Sequence, residues 1–230
     1  MGVLARLKNL LQDQGVLAVA TKLVGRRLDL AYERSLGIDT VAVRQLAELE
    51  IVGENASLGH YYEGTRLMPL RSLVPRLQKM VPESSAFVDC GCGKGKALLV
   101  AGECGLHEVR GVEFAPELCE IARSNWQRLC QKKRIASKFE VICSDILDYE
   151  IRDNDSLFFL FNPFEPEILD RFAMRLVDSL QKHPRKIVLA FAFMSDAYKQ
   201  VIAKYSDFSE VDEVVLWACR FTILMAERQT

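Results

Sequence analysis

Long apolar segments are missing from this sequence, although half of its 230 residues are hydrophobic. No run reaches the roughly 18 to 20 apolar residues that a helix needs to cross a bilayer, and no secretory segment with a small-residue cleavage site opens the chain. A large net charge is missing as well, since 30 basic and 31 acidic residues give a formal net charge of -1. A nucleic acid or an anionic membrane would therefore need a local patch to bind. We expect a cytoplasmic protein.

The sequence also lacks a disulfide framework and a metal-binding pattern. Its seven cysteines are an odd number in a chain long enough to fold without cross-links, so we interpret them as reduced thiols. Cys90 and Cys92 form the only close pair, and no second pair or nearby histidine completes a set of four zinc ligands. We therefore predict no structural metal.

Glycine is absent after residue 111, and all 13 glycines lie in the first half of the chain. Loops that need a permissive backbone, and any ligand that they hold, are expected there. From residue 86 onward, apolar runs alternate with amphipathic stretches, which is typical of βαβ units around a parallel sheet. We predict five buried strands in this region: Ala86 to Cys90, Val109 to Glu113, Phe139 to Cys143, Leu157 to Phe161 and Ile187 to Phe193.

Helices are predicted between and after these strands, over Lys96 to Cys104, Pro116 to Gln131, Ile168 to Lys182 and Ser195 to Tyr205. The tail from Phe208 to Glu227 contains two more β-rich runs with a link too short for a crossover, so the two must pair antiparallel. The predicted fold class is α/β. It is a Rossmann-like, seven-stranded, mainly parallel sheet with an antiparallel final strand and helices on both faces.

The chain before the sheet has a different character. We divide the sequence into an N-terminal helical extension, residues 1–60, and a main domain, residues 61–230. Val3 to Leu23 is weakly amphipathic, and residues 1–27 contain five basic residues against Asp13 alone. Three interpretations remain: a helix that packs on the domain or covers its site, a peripheral membrane contact, or a targeting segment. Leu67, Leu70, Val74 and Leu77 mark a further helix before the first strand.

A glycine-rich loop carries the strongest chemical signal. In F-V-D-C-G-C-G-K-G-K, residues 87–96, a strand runs directly into three alternating glycines before a helix. Such a loop brings bare backbone close to a ligand. A dinucleotide-binding pattern would need a third glycine at residue 96, where Lys96 stands. Asp89 precedes the loop, and its carboxylate would repel a pyrophosphate but attract an ammonium group.

At these residues the sequence resembles the class I S-adenosylmethionine-dependent methyltransferases, whose first motif is an acidic residue followed by G-x-G-x-G. The resemblance extends over roughly residues 60–230. It implies that Asp89 contacts the amino acid end of the cofactor and that Glu113, at the end of the second strand, binds the ribose hydroxyls. Asp145 would bind the adenine amino group, and Ile146 would line the ring. The cofactor-binding residues implied in this way are Asp89, Gly91, Gly93, Gly95, Glu113, Phe114, Asp145 and Ile146.

In this family, the region before the first strand often folds over the cofactor. The run H-Y-Y-E-G-T at residues 60–65 then supplies lid contacts through Tyr61, Tyr62 and Thr65, with local packing as the alternative. Together with Y-E-R-S-L-G-I-D-T at residues 32–40, G-V-E-F and F-N-P-F, these motifs look like those of a group of uncharacterised bacterial methyltransferase-like proteins. That group supplies no substrate.

Other interpretations of the site residues stay open. Asp89, Glu113 and Asp145 could each be an ordinary solvated loop or helix-cap residue. Dinucleotide-binding proteins place an acid much as Glu113 is placed, so a nicotinamide-dependent oxidoreductase is one rival function. A non-catalytic binding or scaffold protein with the methyltransferase fold is the other. Because three acids follow three successive strands at the ligand-binding edge of an open α/β sheet, we favour the methyltransferase.

The acceptor side is predicted at N-P-F, residues 162–164. The resemblance matches this turn to the family's fourth motif, in which an Asn, Asp or Ser precedes two prolines and an aromatic residue; here only one proline is present. Oxygens of Asn162 and Pro163 would accept hydrogen bonds from an amine while Phe164 packs against it. The alternative is a simple strand-ending turn. We name these three residues as catalytic and nominate no general base.

The methyl acceptor itself is not identified by the sequence. A protein lysine or a small-molecule amine is favoured. The acidic residues between Asp145 and Asp170 would suit a cation, but a solvated face is the explanation that we favour for them. There is no strong signal for nucleic acid, because the basic cluster from Arg123 to Arg134 is explained by a solvated helix end.

Overall fold

The computed structural model describes residues 16–41 and 64–228. Its helices are α1 (Val16–Leu36), α2 (Leu67–Gln78), α3 (Lys96–Glu103), α4 (Pro116–Lys132), α5 (Pro166–Lys182) and α6 (Asp196–Ile202). Its strands are β1 (Ala86–Cys90), β2 (Glu108–Glu113), β3 (Lys138–Cys143), β4 (Asp155–Leu160), β5 (Lys186–Ala192), β6 (Ser209–Leu216) and β7 (Cys219–Glu227).

All seven strands form one sheet in the order β3-β2-β1-β4-β5-β7-β6. The first five strands are parallel, and β7 pairs antiparallel with both β5 and β6. Every residue of β1 and β4 is buried, as expected for central parallel strands covered on both faces. The predicted Rossmann-like sheet with its antiparallel end is confirmed.

Two apolar clusters cover the two faces of the sheet. Alternate residues of β1 point to opposite clusters, so Phe87 packs with α1 to α4 while Val88 packs with α5 and α6. The stripe predicted on α5 is fully buried against the second cluster: Phe172, Leu176 and Leu180. This arrangement leaves the carboxyl ends of β1 to β5 at one edge of the sheet.

The N-terminal helix extends beyond the amphipathic stretch Val3 to Leu23. Its described part spans Val16–Leu36, and residues 1–15 lie outside the described part of the chain. Its second half is held by tertiary contacts that amphipathicity does not reveal. Tyr32 and Leu36 are buried in the first cluster, and the guanidinium of Arg71 lies 5.2 Å from the centre of the Tyr32 ring. The predicted domain boundary at residue 60 also falls outside the described residues.

Two searches over the described residues gave negative results. None of the helices from α1 to α6 is long and apolar enough to span a membrane. Residues 16–41 and 64–228 contain no group of three or more His, Cys, Asp or Glu side chains that could hold a metal ion.

Candidate active site

The glycine loop connects β1 to α3 and depends on left-handed backbone. Gly91, Gly93 and Gly95 have φ values of 75°, 51° and 81°. At Gly91 a side chain is excluded for a second reason, because a Cβ there would lie 2.7 Å from the Cβ of Pro163. The loop therefore touches the N-P-F turn directly, a contact that the sequence pattern does not show.

Glu113 fastens the loop to the end of β2. Its Oε2 accepts a hydrogen bond of 2.8 Å from the Gly93 N–H, and its Oε1 accepts one of 3.0 Å from the Ala115 N–H. Burial raises the pKa of Glu113, while these backbone donors act in the opposite direction. Each carboxylate oxygen keeps a second lone pair, so the side chain is still able to accept hydrogen bonds from a ligand.

Asp89 is the most perturbed acid of the site. It is buried at the carboxyl end of β1, and burial, followed by repulsion from Glu113, raises its pKa to about 8. Neither a cation nor a hydrogen-bond donor among the described residues offsets these two effects. A buried carboxylate of this kind gains from any positively charged group that reaches it.

Asp145 follows β3 and has a local structural role. Its Oδ1 accepts a hydrogen bond of 2.9 Å from the Leu147 N–H, which stabilises the turn after the strand. This is the capping role that we considered as an alternative. The same residue also lines a cleft together with Ser144 and Ile146, so the turn holds the carboxylate in place at that cleft.

The cleft lies at the carboxyl edge of the sheet and joins most of the predicted residues. It is lined by Gly91, Val112, Glu113, Phe114, Ser144, Asp145, Ile146, Pro163, Phe164 and Ile168. Val112, Ser144 and Ile168 were not predicted. Ser144 and Val112 adjoin predicted acids in sequence, whereas Ile168 comes from the start of α5 and no pattern points to it.

Five predicted residues do not line this cleft: Asp89, Gly93, Gly95, Thr65 and Asn162. Asp89, Gly93 and Gly95 belong to the strand end and loop beside it, and Thr65 is buried just before α2. Tyr61 and Tyr62 lie outside the described residues. The lid contacts of Tyr61 and Thr65 therefore stay predictions.

The N-P-F turn is held by the core. Phe164 packs edge-on against Phe172, with ring centroids 6.4 Å apart, and its carbonyl oxygen accepts a hydrogen bond from the Tyr198 hydroxyl. Asn162 is exposed and has a φ of 47°, which is unusual for a residue with a side chain. Within the described residues, the other such positions are Phe193, Trp217 and Ala218.

These four strained residues lie at the same edge of the sheet, at the ends of β4 and β5 and in the β6–β7 turn. The Phe193 side chain is 51% exposed, and its ring centroid lies 6.1 Å from that of Phe161. Strained backbone and exposed aromatic rings are often kept where a protein binds its ligands. The two halves of this edge thus differ, with acids and glycines on β1 to β3 and aromatic residues on β4, β5 and the hairpin.

The chain is similar to known proteins both in sequence and in fold. No known protein-family profile matches the chain. The ribosomal protein L11 methyltransferase of Burkholderia multivorans (strain ATCC 17616 / 249) is 25% identical over 152 residues, which are 62% of this chain and 44% of that protein. The chain spans less than half the length of the curated relatives it matches.

Solved structures agree with the sequence relatives. The ribosomal protein L11 methylase of Lactobacillus delbrueckii subsp. bulgaricus matches with a TM-score of 0.53 and 15% identity, over 75% of this chain and 83% of that one. The fold is that of the class I methyltransferases. A magnesium protoporphyrin IX methyltransferase from Synechocystis PCC 6803, solved with bound S-adenosylmethionine, matches this class I fold with a TM-score of 0.50 and 16% identity, over 70% and 78% of the two chains.

Proposed function

We propose that the protein is an S-adenosylmethionine-dependent methyltransferase that transfers the methyl group to an amine nitrogen of a protein or a small molecule. One observation carries the proposal. The cleft is bounded by Glu113 and Asp145, adjoins the glycine loop, and has beside it the buried carboxylate of Asp89, which no cation in residues 16–41 or 64–228 neutralises. The class I fold and the methyltransferase relatives support the same conclusion.

The residues present fit the cofactor group by group. Asp89 would bind its ammonium group, which supplies the missing positive charge. Glu113 would accept hydrogen bonds from the ribose hydroxyls, and Asp145 and Ile146 would hold the adenine ring. The glycines are also needed by the packing of the loop itself, since a Cβ on Gly91 would lie 2.7 Å from Pro163 and one on Gly95 3.1 Å from Ala122.

When bound, the cofactor supplies a methyl group on a positively charged sulfur. The chain itself needs to align the acceptor nitrogen with that methyl group and to exclude water. Alignment of two reactants contributes roughly 7 to 11 kcal/mol to catalysis, so a methyltransferase needs little further chemistry when its acceptor is a neutral amine. We assign this alignment to the N-P-F turn, which contacts the glycine loop through Pro163 and Gly91.

A protein acceptor is favoured by the relatives, whose names identify a ribosomal protein as the target of those enzymes. The aromatic half of the sheet edge provides a surface for such a partner. Exposed Phe193 follows β5, the strand next to the β4 end that leads into Asn162, and exposed Trp217 lies farther out in the β6–β7 turn. An amine presented there would reach the turn from the side opposite to the acids.

Cofactor binding is tested by calorimetry and thermal shift with S-adenosylhomocysteine and, separately, with NAD. We expect S-adenosylhomocysteine to bind and to raise the melting temperature, and NAD to have no effect. Asp89→Asn should weaken binding at least about tenfold, because the ammonium group loses its charged partner. Asp170→Asn, which removes a partly exposed carboxylate of α5 that pairs with Lys204, should bind as the wild type does. Stabilisation by NAD alone would favour the oxidoreductase instead.

Methyl transfer is tested with radiolabelled S-adenosylmethionine, purified protein and cell lysate, after which the label is sorted into protein, nucleic acid and small-molecule fractions. We expect acid-stable label on protein or on a small amine. Asn162→Gly, which suits the positive φ but removes the amide, should bind S-adenosylhomocysteine normally and lose transfer. Label on nucleic acid would contradict the amine acceptor, and no label in any fraction would favour a scaffold role.

A further inference from the structure

Two lysines of the glycine loop are bound by the N-terminal segment rather than by the cleft. Lys94 Nζ lies 2.8 and 2.7 Å from the two carboxylate oxygens of Asp39, just beyond α1. Lys96 Nζ lies 3.2 Å from Oδ1 of Asp29, within α1. Neither lysine lines the cleft, and both side chains are almost fully buried, with exposures of 0% and 4%.

A buried lysine is stable only when it is paired, so these contacts matter for the shape of the loop. Burial lowers the pKa of Lys96, and Asp29 beside it acts in the opposite direction. Asp29 also accepts a hydrogen bond of 2.8 Å from the Leu67 N–H, at the first residue of α2. One carboxylate therefore joins α1, α2 and the beginning of α3.

The backbone of the loop is tied to the same segment through Asn125 of α4. The buried amide of Asn125 accepts a hydrogen bond of 3.0 Å from the Asp39 N–H and donates one of 2.8 Å to the Asp39 carbonyl. It also donates one of 3.0 Å to the Lys94 carbonyl. Lys94 is the immediate neighbour of Gly93, whose N–H holds Glu113 at the cleft. Adjacent residues of the loop therefore make the contact with the N-terminal segment and the contact with Glu113 at the cleft.

We propose that Asp29 and Asp39 are positioning residues for the cofactor, because they hold Lys94 and Lys96 and thereby set the conformation of the glycine loop at the cleft. The inference rests on the proposed function, since it assigns the cleft to S-adenosylmethionine. It gives the N-terminal segment a role in cofactor affinity without contact to the cofactor.

The physical basis is preorganisation. Three glycines with positive φ make the free loop flexible, and ordering it on binding would cost affinity. When α1 and Asp39 already hold the loop, that ordering has taken place before the cofactor arrives. Coupling of this kind is reciprocal, so the cofactor must also stabilise the docking of the N-terminal segment.

The test compares Asp39→Asn, Asp29→Asn and the double variant with Asp170→Asn, which removes a partly exposed carboxylate paired with Lys204 at 3.0 Å. Affinity for S-adenosylhomocysteine is measured by calorimetry, well below the melting temperature of each protein. We expect the double variant to bind about fivefold or more weakly than the wild type. The Asp170 variant should be unchanged, and Asp39→Glu should recover part of the affinity lost with Asp39→Asn.

Hydrogen exchange supplies the readout that a merely structural role would not change. Addition of S-adenosylhomocysteine to the wild type should slow amide exchange in residues 29–40. If Asp29→Asn does not fold, Asp39→Asn carries the test, because the Asp39 side chain is half exposed. Variants with lower melting temperatures but wild-type affinity, or unaltered exchange in residues 29–40, would overturn the inference alone. A wild type that binds no S-adenosylhomocysteine would overturn the proposed function as well.

Discussion

At the scale of single residues, the site keeps groups that reduce the stability of the ligand-free protein. Asp89 is the clearest case, since burial and Glu113 hold its pKa near 8 instead of the usual 3.8. The folded state therefore binds a proton between about pH 4 and pH 8 that the unfolded state releases. It follows that this residue lowers the stability of the folded state progressively as the pH rises through that window.

Asp89→Asn should consequently stabilise the ligand-free protein in a pH-dependent way. Asparagine cannot ionise, so we expect a melting temperature at pH 8 that exceeds the wild-type value by about 3 °C or more, and a smaller difference at pH 5. The same variant should lose the release of about one proton per S-adenosylhomocysteine bound at pH 6.5, measured by calorimetry in buffers of different ionisation enthalpy. An equal gain in melting temperature at both pH values would contradict this account.

A second residue-scale prediction separates backbone strain from contact in the glycine loop. Gly91→Ala places a Cβ 2.7 Å from Pro163 at a φ of 75°, whereas Gly105→Ala introduces one at a φ of 82° with nothing within 4 Å. Both changes should cost about 1 to 2 kcal/mol from the left-handed backbone. Only Gly91→Ala should cost roughly 1 to 3 kcal/mol more and weaken S-adenosylhomocysteine binding, as followed by urea unfolding and calorimetry. Equal effects would show that Pro163 moves freely.

At the scale of elements, periodicity predicted the sheet well, because buried parallel strands are continuous apolar runs between amphipathic helices. Periodicity failed where a polar residue is buried because it pairs with a residue that is distant in sequence. We predicted that β4 begins at Leu157, but it begins at Asp155, a fully buried acid that pairs with Arg110 of β2. For the same reason, periodicity did not predict the second half of α1, in which Asp29 pairs with Lys96, a residue 67 positions away in sequence.

The candidate site likewise contains residues that local patterns predict and contacts that they do not predict. Its acids and glycines are recognisable because strand ends and glycine spacing are local features. Together with the family resemblance, these features predicted seven of the residues that line the cleft. The contact of Gly91 with Pro163 and the docking of Asp39 on Lys94 depend on chain segments that are far apart in sequence. No local pattern contains them.

The β6–β7 hairpin gives an element-scale prediction. Trp217 and Ala218 form its two-residue turn with φ values of 53° and 60°, a geometry that asparagine and glycine adopt more readily. Ala218→Gly should therefore stabilise the protein by about 0.5 to 1 kcal/mol in urea unfolding. Ala203→Gly, at a helix end with a φ of −59°, is the matched control and should not stabilise it. Destabilisation by Ala218→Gly would mean that the turn is not strained.

At the scale of the whole molecule, the two edges of the sheet have different tasks. The carboxyl edge holds the cleft, the strained residues and the exposed aromatic rings. The amino edge holds a buried polar cluster centred on Asp155, which pairs with Arg110 and accepts hydrogen bonds of 2.7 Å from the Tyr149 hydroxyl and from the Arg152 N–H. Asp155 is fully buried among these partners, which indicates a structural role for that edge.

Asp155→Ala tests this separation of stability from function. The change removes one of the two nearest carboxylates of the buried Arg110 guanidinium, which keeps Glu108, and leaves the buried Tyr149 hydroxyl without its acceptor; losses of this kind cost about 3 kcal/mol. For a chain of this length we expect the melting temperature to fall by roughly 6 to 12 °C. Affinity for S-adenosylhomocysteine, measured below the new melting temperature, should stay within about twofold of the wild type, because β1 and β2 still present Asp89 and Glu113 at the opposite edge. A large loss of affinity with an intact fold would show that the amino edge also controls the cleft.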